Sequence, residues 1–165
     1  MTIIYQEVEL HQEKNVMLNT INQIPAIHEL VDYQEGPDEQ CVIKHFLGLS
    51  QEEAASMIIE ETPFPYGVYT EDLMWLSDKG FAYYFPAFVE ASIKICEQKG
   101  KEYAEEICSG IIISLLFHAE TNPQLIMCNR DSISIFLHFI DYQSIFENGS
   151  YSDEILTISN VLKDY

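Results

Sequence analysis

Five histidines, four cysteines and a set of adjacent acid pairs are the residues of this chain whose types suit chemistry. The histidines are His11, His28, His45, His118 and His138. A carboxylate-bridged di-iron bundle needs Glu-x-x-His on two helices, and that spacing does not occur. His138 and Asp141 share a helical face, and His118 lies two residues before Glu120, but neither pair makes a metal site alone. A helix-end or partly buried role is the expectation for each histidine. Cys41, Cys96, Cys108 and Cys128 form no Cys-x-x-Cys pair, so a zinc site would lack its usual close spacing. Their apolar or helical contexts keep thiols protonated, which disfavours Cys-His catalysis. They read as reduced, mostly buried thiols of a cytoplasmic protein.

Acid–base chemistry by paired carboxylates needs one member desolvated so that its pKa rises. Glu52-Glu53, Glu60-Glu61, Glu71-Asp72 and Glu105-Glu106 all lie near expected helix ends, where a solvated surface is the natural reading. No Gly-x-Ser-x-Gly, His-Glu-x-x-His, phosphate-binding loop, dinucleotide-binding glycine pattern or EF-hand loop is present. The expectation is a protein with no catalytic residues, no metal and no cofactor.

One segment stands apart. Thr62 to Thr70 carries two prolines, a glycine and the aromatics Phe64, Tyr66 and Tyr69, between Glu60-Glu61 and Glu71-Asp72. Prolines lower the entropy cost of presenting a loop, and aromatics anchor interfaces. Aromatics flanked by acids suit a partner rich in Arg and Lys. Glu60, Glu61, Phe64, Tyr66, Tyr69, Glu71 and Asp72 are therefore the candidate partner-binding residues, with the four carboxylates expected in solvent. The bland alternative is that the aromatics fold back over the core. Glu102, Glu105 and Glu106 form a second acidic patch.

The elements that position this loop read as helices. A first helix follows Glu7, with Leu10, Met17, Ile21 and Ile24 on one face and Pro25 ending it, after a short extended arm over residues 1–6. Ala26 to Asp38 reads as a packed turn and loop. A short helix spans Glu39 to Leu47, closed by Gly48. Ser50 and Glu53 form a capping box for a helix to about Glu60. Thr70 caps a turn at Leu73 to Leu76, and Ser77 caps a longer helix that Pro86 kinks or splits. Gly100 ends it. Lys101 to Ala119 is the strongest helix, acidic in its first turns and apolar on nearly every face from Ile107 to Phe117, which marks a central helix packed all round. Asn122-Pro123 breaks it; helices from about Ser132 to Phe146 and from a Ser152 cap complete the chain. The fold class is all-α: one domain, residues 1–165, of about six to seven helices around a buried central helix. The apolar run from Ile107 to Phe117 is 11 residues, and a bilayer crossing needs about 20. No secretory signal pattern is visible.

The stretch Asp72-Leu73-Met74-Trp75-Leu76-Ser77-Asp78-Lys79-Gly80-Phe81-Ala82-Tyr83-Tyr84-Phe85-Pro86-Ala87-Phe88 resembles the motif of an uncharacterised family of small bacterial proteins, Phe-x-Tyr-Tyr-Leu-Pro-Ala-aromatic, with Phe85 where that family usually has Leu. The match covers about 20 residues. The resemblance implies an all-helical fold and carries no activity to transfer. In size and charge alone the chain also resembles the acidic immunity proteins that accompany bacterial toxins.

Charge selects among functions. The 165 residues hold 27 Asp and Glu against 8 Lys and Arg, a net charge of −19, with a pI near 4.3. Direct binding to nucleic acid or an anionic membrane needs cationic surface and is not expected. Disorder is excluded as the main state by 47% hydrophobic content. The leading expectation is a cytoplasmic immunity protein that neutralises a basic toxin by occlusion, a DNA-mimic inhibitor being a close variant. The alternatives are an enzyme or small-ligand binder with a pocket among the helices, and a subunit of a larger assembly or a homo-oligomer.

Overall fold

The computed structural model describes residues 23–62, 68–146 and 149–164, with the side chains of 68–70 and 164 outside that description. The expected arm, the first helix up to residue 22, and the aromatics Phe64 and Tyr66 lie outside the described residues; residues 23 and 24, expected at the end of that helix, are not helical, and Ile24 is exposed rather than on a buried face. Within them the chain forms nine helices and no strand: α1 (Ile27–Leu30), α2 (Pro37–Phe46), α3 (Gln51–Glu61), α4 (Val68–Trp75), α5 (Asp78–Lys99), α6 (Lys101–Thr121), α7 (Pro123–Cys128), α8 (Arg130–Tyr142) and α9 (Ser152–Asp164). The all-α reading holds. Two of the helices are short pieces, α1 and α7, where the sequence reads as a packed turn and a break.

Local chemistry accounts for the boundaries. α2 begins at Pro37, two residues earlier than expected, because proline's fixed φ and missing N–H suit the first helical position. Pro123 opens α7 in the same way, directly after the break at Asn122. The capping box of α3 is formed: the Glu53 N–H donates to Ser50 Oγ at 3.2 Å, and the Ser50 N–H donates to Glu53 Oε2 at 2.8 Å. Ser77 accepts from the Gly80 N–H at 3.1 Å and starts α5. Ser152 is not the cap expected of it. It is the first residue of α9, its hydroxyl donates to Gly149 O at 2.6 Å, and Tyr151 O accepts the first helical bond from Ile155.

Pro86 lies inside α5 without splitting it. Proline offers no N–H to the Ala82 carbonyl. The next carbonyl, that of Tyr83, accepts from Gln51 Nε2 at 2.7 Å, so the first residue of α3 supports α5 where its ladder is weakest. Burial of Phe81, Tyr84, Phe85 and Phe88 on either side holds the helix in one piece.

α5 and α6 meet at Gly100, whose φ of 113° few other residues adopt. They run antiparallel: Asn122, just past the end of α6, donates to Asp78 at the start of α5 at 2.7 Å. α1, α3 and α8 pack on α5, α4, α7 and α9 pack on α6, and α2 packs on α4. The core is aromatic along α5, with Phe81 stacked on Phe85 at 5.1 Å and Phe46 against Tyr84 and Phe88 at 5.2 and 5.6 Å. Ile111 and Leu115 of α6 are buried as expected. The centre is nevertheless a pair of helices, not α6 alone. α6 is not packed all round either, since Ile113 is 43% exposed and Phe117 47%.

Gly80 permits a close approach of α5 to the backbone of α1. A Cβ there would lie 2.4 Å from the Leu30 carbonyl oxygen. The Ser77 N–H donates to that same carbonyl at 2.9 Å, Ser77 Oγ donates to Glu29 O, and Lys79 pairs with Glu29 at 2.6 Å. α1 is thus fixed on the start of α5.

Candidate functional site

The acidic loop of the sequence reading begins where α3 ends and finishes in the first turn of α4. Its first end is held firmly. Lys99, at the last turn of α5, donates to the carbonyls of Ile59 and Thr62, and Thr62 Oγ1 donates to Ile58 O at 2.8 Å. Helix C-termini leave carbonyls without intrahelical partners, and a cation there satisfies both the hydrogen bonds and the macrodipole. Lys99 reads from sequence as a charge suited to the end of its own helix; in the fold it caps α3.

The second end is held by an Asp–His hydrogen bond that the sequence does not announce. Asp72, 3% exposed, lies with Oδ2 2.6 Å from Nδ1 of His45 on α2. Burial pushes the Asp72 carboxyl up to about 6; the hydrogen bond and charge of His45 pull the other way, while Glu71 and Asp38 add to the rise. The expectation that Asp72 is solvated is therefore corrected. Asp72 and Leu76 are four residues apart, with Leu73 beside them, and all three are buried. The helical face that docks α4 carries the carboxylate inward. That spacing is the signal in the sequence that points to Asp72; nothing local points to His45, 27 residues away.

The remaining carboxylates stand as expected. Glu60, Glu61 and Glu71 are exposed. Phe64 and Tyr66 are outside the described residues, and Tyr69 is placed in α4 without a described side chain. Glu102, Glu105 and Glu106 of the second acidic patch are exposed on α6. At the opposite end of α3, a shallow groove of about 340 Å³ is lined by Ser50, Gln51, Glu52, Tyr83 and Glu90.

The other chemically capable residues fall into structural places. Among the described residues no group of three or more His, Cys, Asp or Glu is arranged to hold a metal. The four cysteines are free of disulfides. Cys108 is buried, and burial pushes its thiol well above the usual range. The reading of mostly buried thiols is corrected for Cys41, which is exposed, and for Cys96 and Cys128, which are half-buried. The Tyr84 hydroxyl lies 2.6 Å from Phe46 O and 2.7 Å from Leu49 O and donates its one proton to this pair, pinning the turn between α2 and α3. No described helix is long and apolar enough to cross a membrane. No family model, curated protein or solved structure matches the chain.

Proposed function

We propose that this protein is an acidic binding module, acting as a bacterial immunity protein that neutralises a basic toxin by covering its active site. The observation that carries the reading is the clamped acidic corner between α3 and α4. Lys99 fixes one end of the connection and the Asp72–His45 pair fixes the other, while Glu60, Glu61 and Glu71 face solvent around it. A preorganised acidic surface lowers the ordering cost of binding and steers a cationic partner into place. The net charge of −19 supplies the long-range part of that attraction.

The test is binding kinetics against a basic protein encoded beside this chain, at two salt concentrations, with an assay of that protein's own activity. An equimolar complex should abolish the partner's activity, and added salt should slow association. Charge reversal at Glu60, Glu61 and Glu71 should reduce the on-rate without unfolding the domain, and Tyr66→Ala or Tyr69→Ala should act on the off-rate. Asp72 is left out of the reversal because it is buried. Salt-insensitive association together with wild-type kinetics for these variants moves the interface elsewhere, first to Glu102, Glu105 and Glu106; absence of binding and inhibition removes the reading.

A further inference from the structure

Two polar atoms deep in α6 meet no hydrogen-bond partner among the described residues: Ser114 Oγ and His118 Nε2. Both residues are buried, Ser114 completely and His118 to 5% exposure. Orphaned buried polar atoms are rare in folded proteins and each needs a physical account. The neighbouring hydroxyls of the same helix show what Ser114 does not do. Ser109 donates back to Glu105 O at 2.8 Å, and Thr121 donates back to Phe117 O at 2.7 Å. Ser114 is the most deeply buried of the three, and its hydroxyl is turned off the helix's own carbonyls.

Ser114 and His118 are four residues apart, so they lie one above the other on a single face, with Cβ atoms about 5–6 Å apart. The His118 ring sits 4.4 Å from the Phe81 ring of α5, and burial holds its pKa below the usual histidine range. The imidazole is accordingly neutral at physiological pH, with one nitrogen donating and the other accepting. Among the described residues no group of three or more His, Cys, Asp or Glu could hold a metal, and one imidazole with one hydroxyl falls short of a metal's usual ligand set. Side chains four residues apart on one helix face are near enough to share a partner.

We infer that Ser114 Oγ and His118 Nε2 hold a single structural water molecule, an internal hydration site at the α5–α6 interface. Water suits either tautomer of His118, since it donates and accepts equally. Internal waters are placed in this way, on buried polar groups that the protein leaves unpaired.

A crystal structure at about 1.5 Å resolution tests this directly. A density peak within hydrogen-bond distance of both atoms is expected; a dry site, or a direct Ser114–His118 hydrogen bond, overturns the inference. Urea unfolding of Ser114→Ala provides the solution test, with Ser109→Ala as the control for helix propensity on the same helix. A bridged water predicts that Ser114→Ala lowers the folding equilibrium constant about three- to tenfold relative to the control, because its hydrogen bond is lost and the imidazole is left short of a partner. A variant that folds more favourably than the control overturns it, because removing a truly unpartnered hydroxyl from a dry core is stabilising.

Discussion

Asp72→Asn should stabilise the fold, and by an amount that grows with pH. The carboxyl is 3% exposed and its pKa stands at about 6 against an ordinary 3.8. The folded state therefore holds this proton more tightly than the unfolded state does. Stability contributed by such a group is whole below the unfolded pKa and is lost as pH rises through the folded one, here between about pH 4 and pH 6. A rise of about two units, at about 1.4 kcal/mol each, costs the ionised wild type roughly 3 kcal/mol at pH 8 and about 1.5 kcal/mol at pH 5. Asparagine keeps the shape and an oxygen that accepts from His45, and it cannot ionise. Subtracting wild type from variant cancels the self-repulsion of the other acids, which also changes with pH. The assay is urea unfolding followed by far-UV circular dichroism from pH 5 to pH 8. A variant less stable than wild type at pH 8, or a difference that does not widen over that range, would show that the His45 contact outweighs the burial cost and would refute the reasoning.

Three further perturbations read other parts of the fold by the same unfolding assay. Leu115→Ala should cost about 2–5 kcal/mol, the range for deleting a fully buried leucine; a change within noise would remove α6 from the core. Gly80→Ala should destabilise by about 1–3 kcal/mol despite alanine's higher helix propensity, because the new Cβ meets the Leu30 carbonyl at 2.4 Å; a stabilised variant would mean that α1 moves aside freely. Lys99→Ala should cost about 1–2 kcal/mol through the two carbonyls it leaves, and amide exchange at the last turn of α3 should quicken while the first turn keeps its protection.

Much of the architecture is legible because its signals are local. Ser50 with Glu53 forms the capping box that its spacing suggests, Ser77 caps the helix that follows it, and Gly100 stops one helix where the next begins. Pro86 leaves a kink and a split equally open in the sequence, which shows only the lost N–H; the structure removes the split. The glutamine that supports the adjacent carbonyl comes from residue 51, and the aromatic packing that keeps α5 continuous is a tertiary effect. The candidate site is partly legible for the same reason. Exposed Glu60, Glu61 and Glu71 follow from their places near helix ends, whereas the burial of Asp72 depends on α4 being a full helix and on His45 waiting across from it. Ile107 to Phe117 shows the converse error: apolar composition on every face does not guarantee neighbours on every face, and Ile113 and Phe117 remain exposed.

The single-residue junction at Gly100 bears on the order in which the chain assembles. α5 and α6 are the longest helices described and are joined with almost no intervening loop. Their contacts nearest the junction close with little loss of chain entropy, and the rest zip outward from it. Contacts of α9 with α6 must close a far longer loop and come later. Conservative truncations near the junction, at Ile95 or Ile107, should therefore slow folding, whereas truncation of Ile158 on α9 should mainly speed unfolding. The protein's kinetic lifetime would then be set by how firmly its last helix stays docked, and its rate of maturation by the hairpin at its middle.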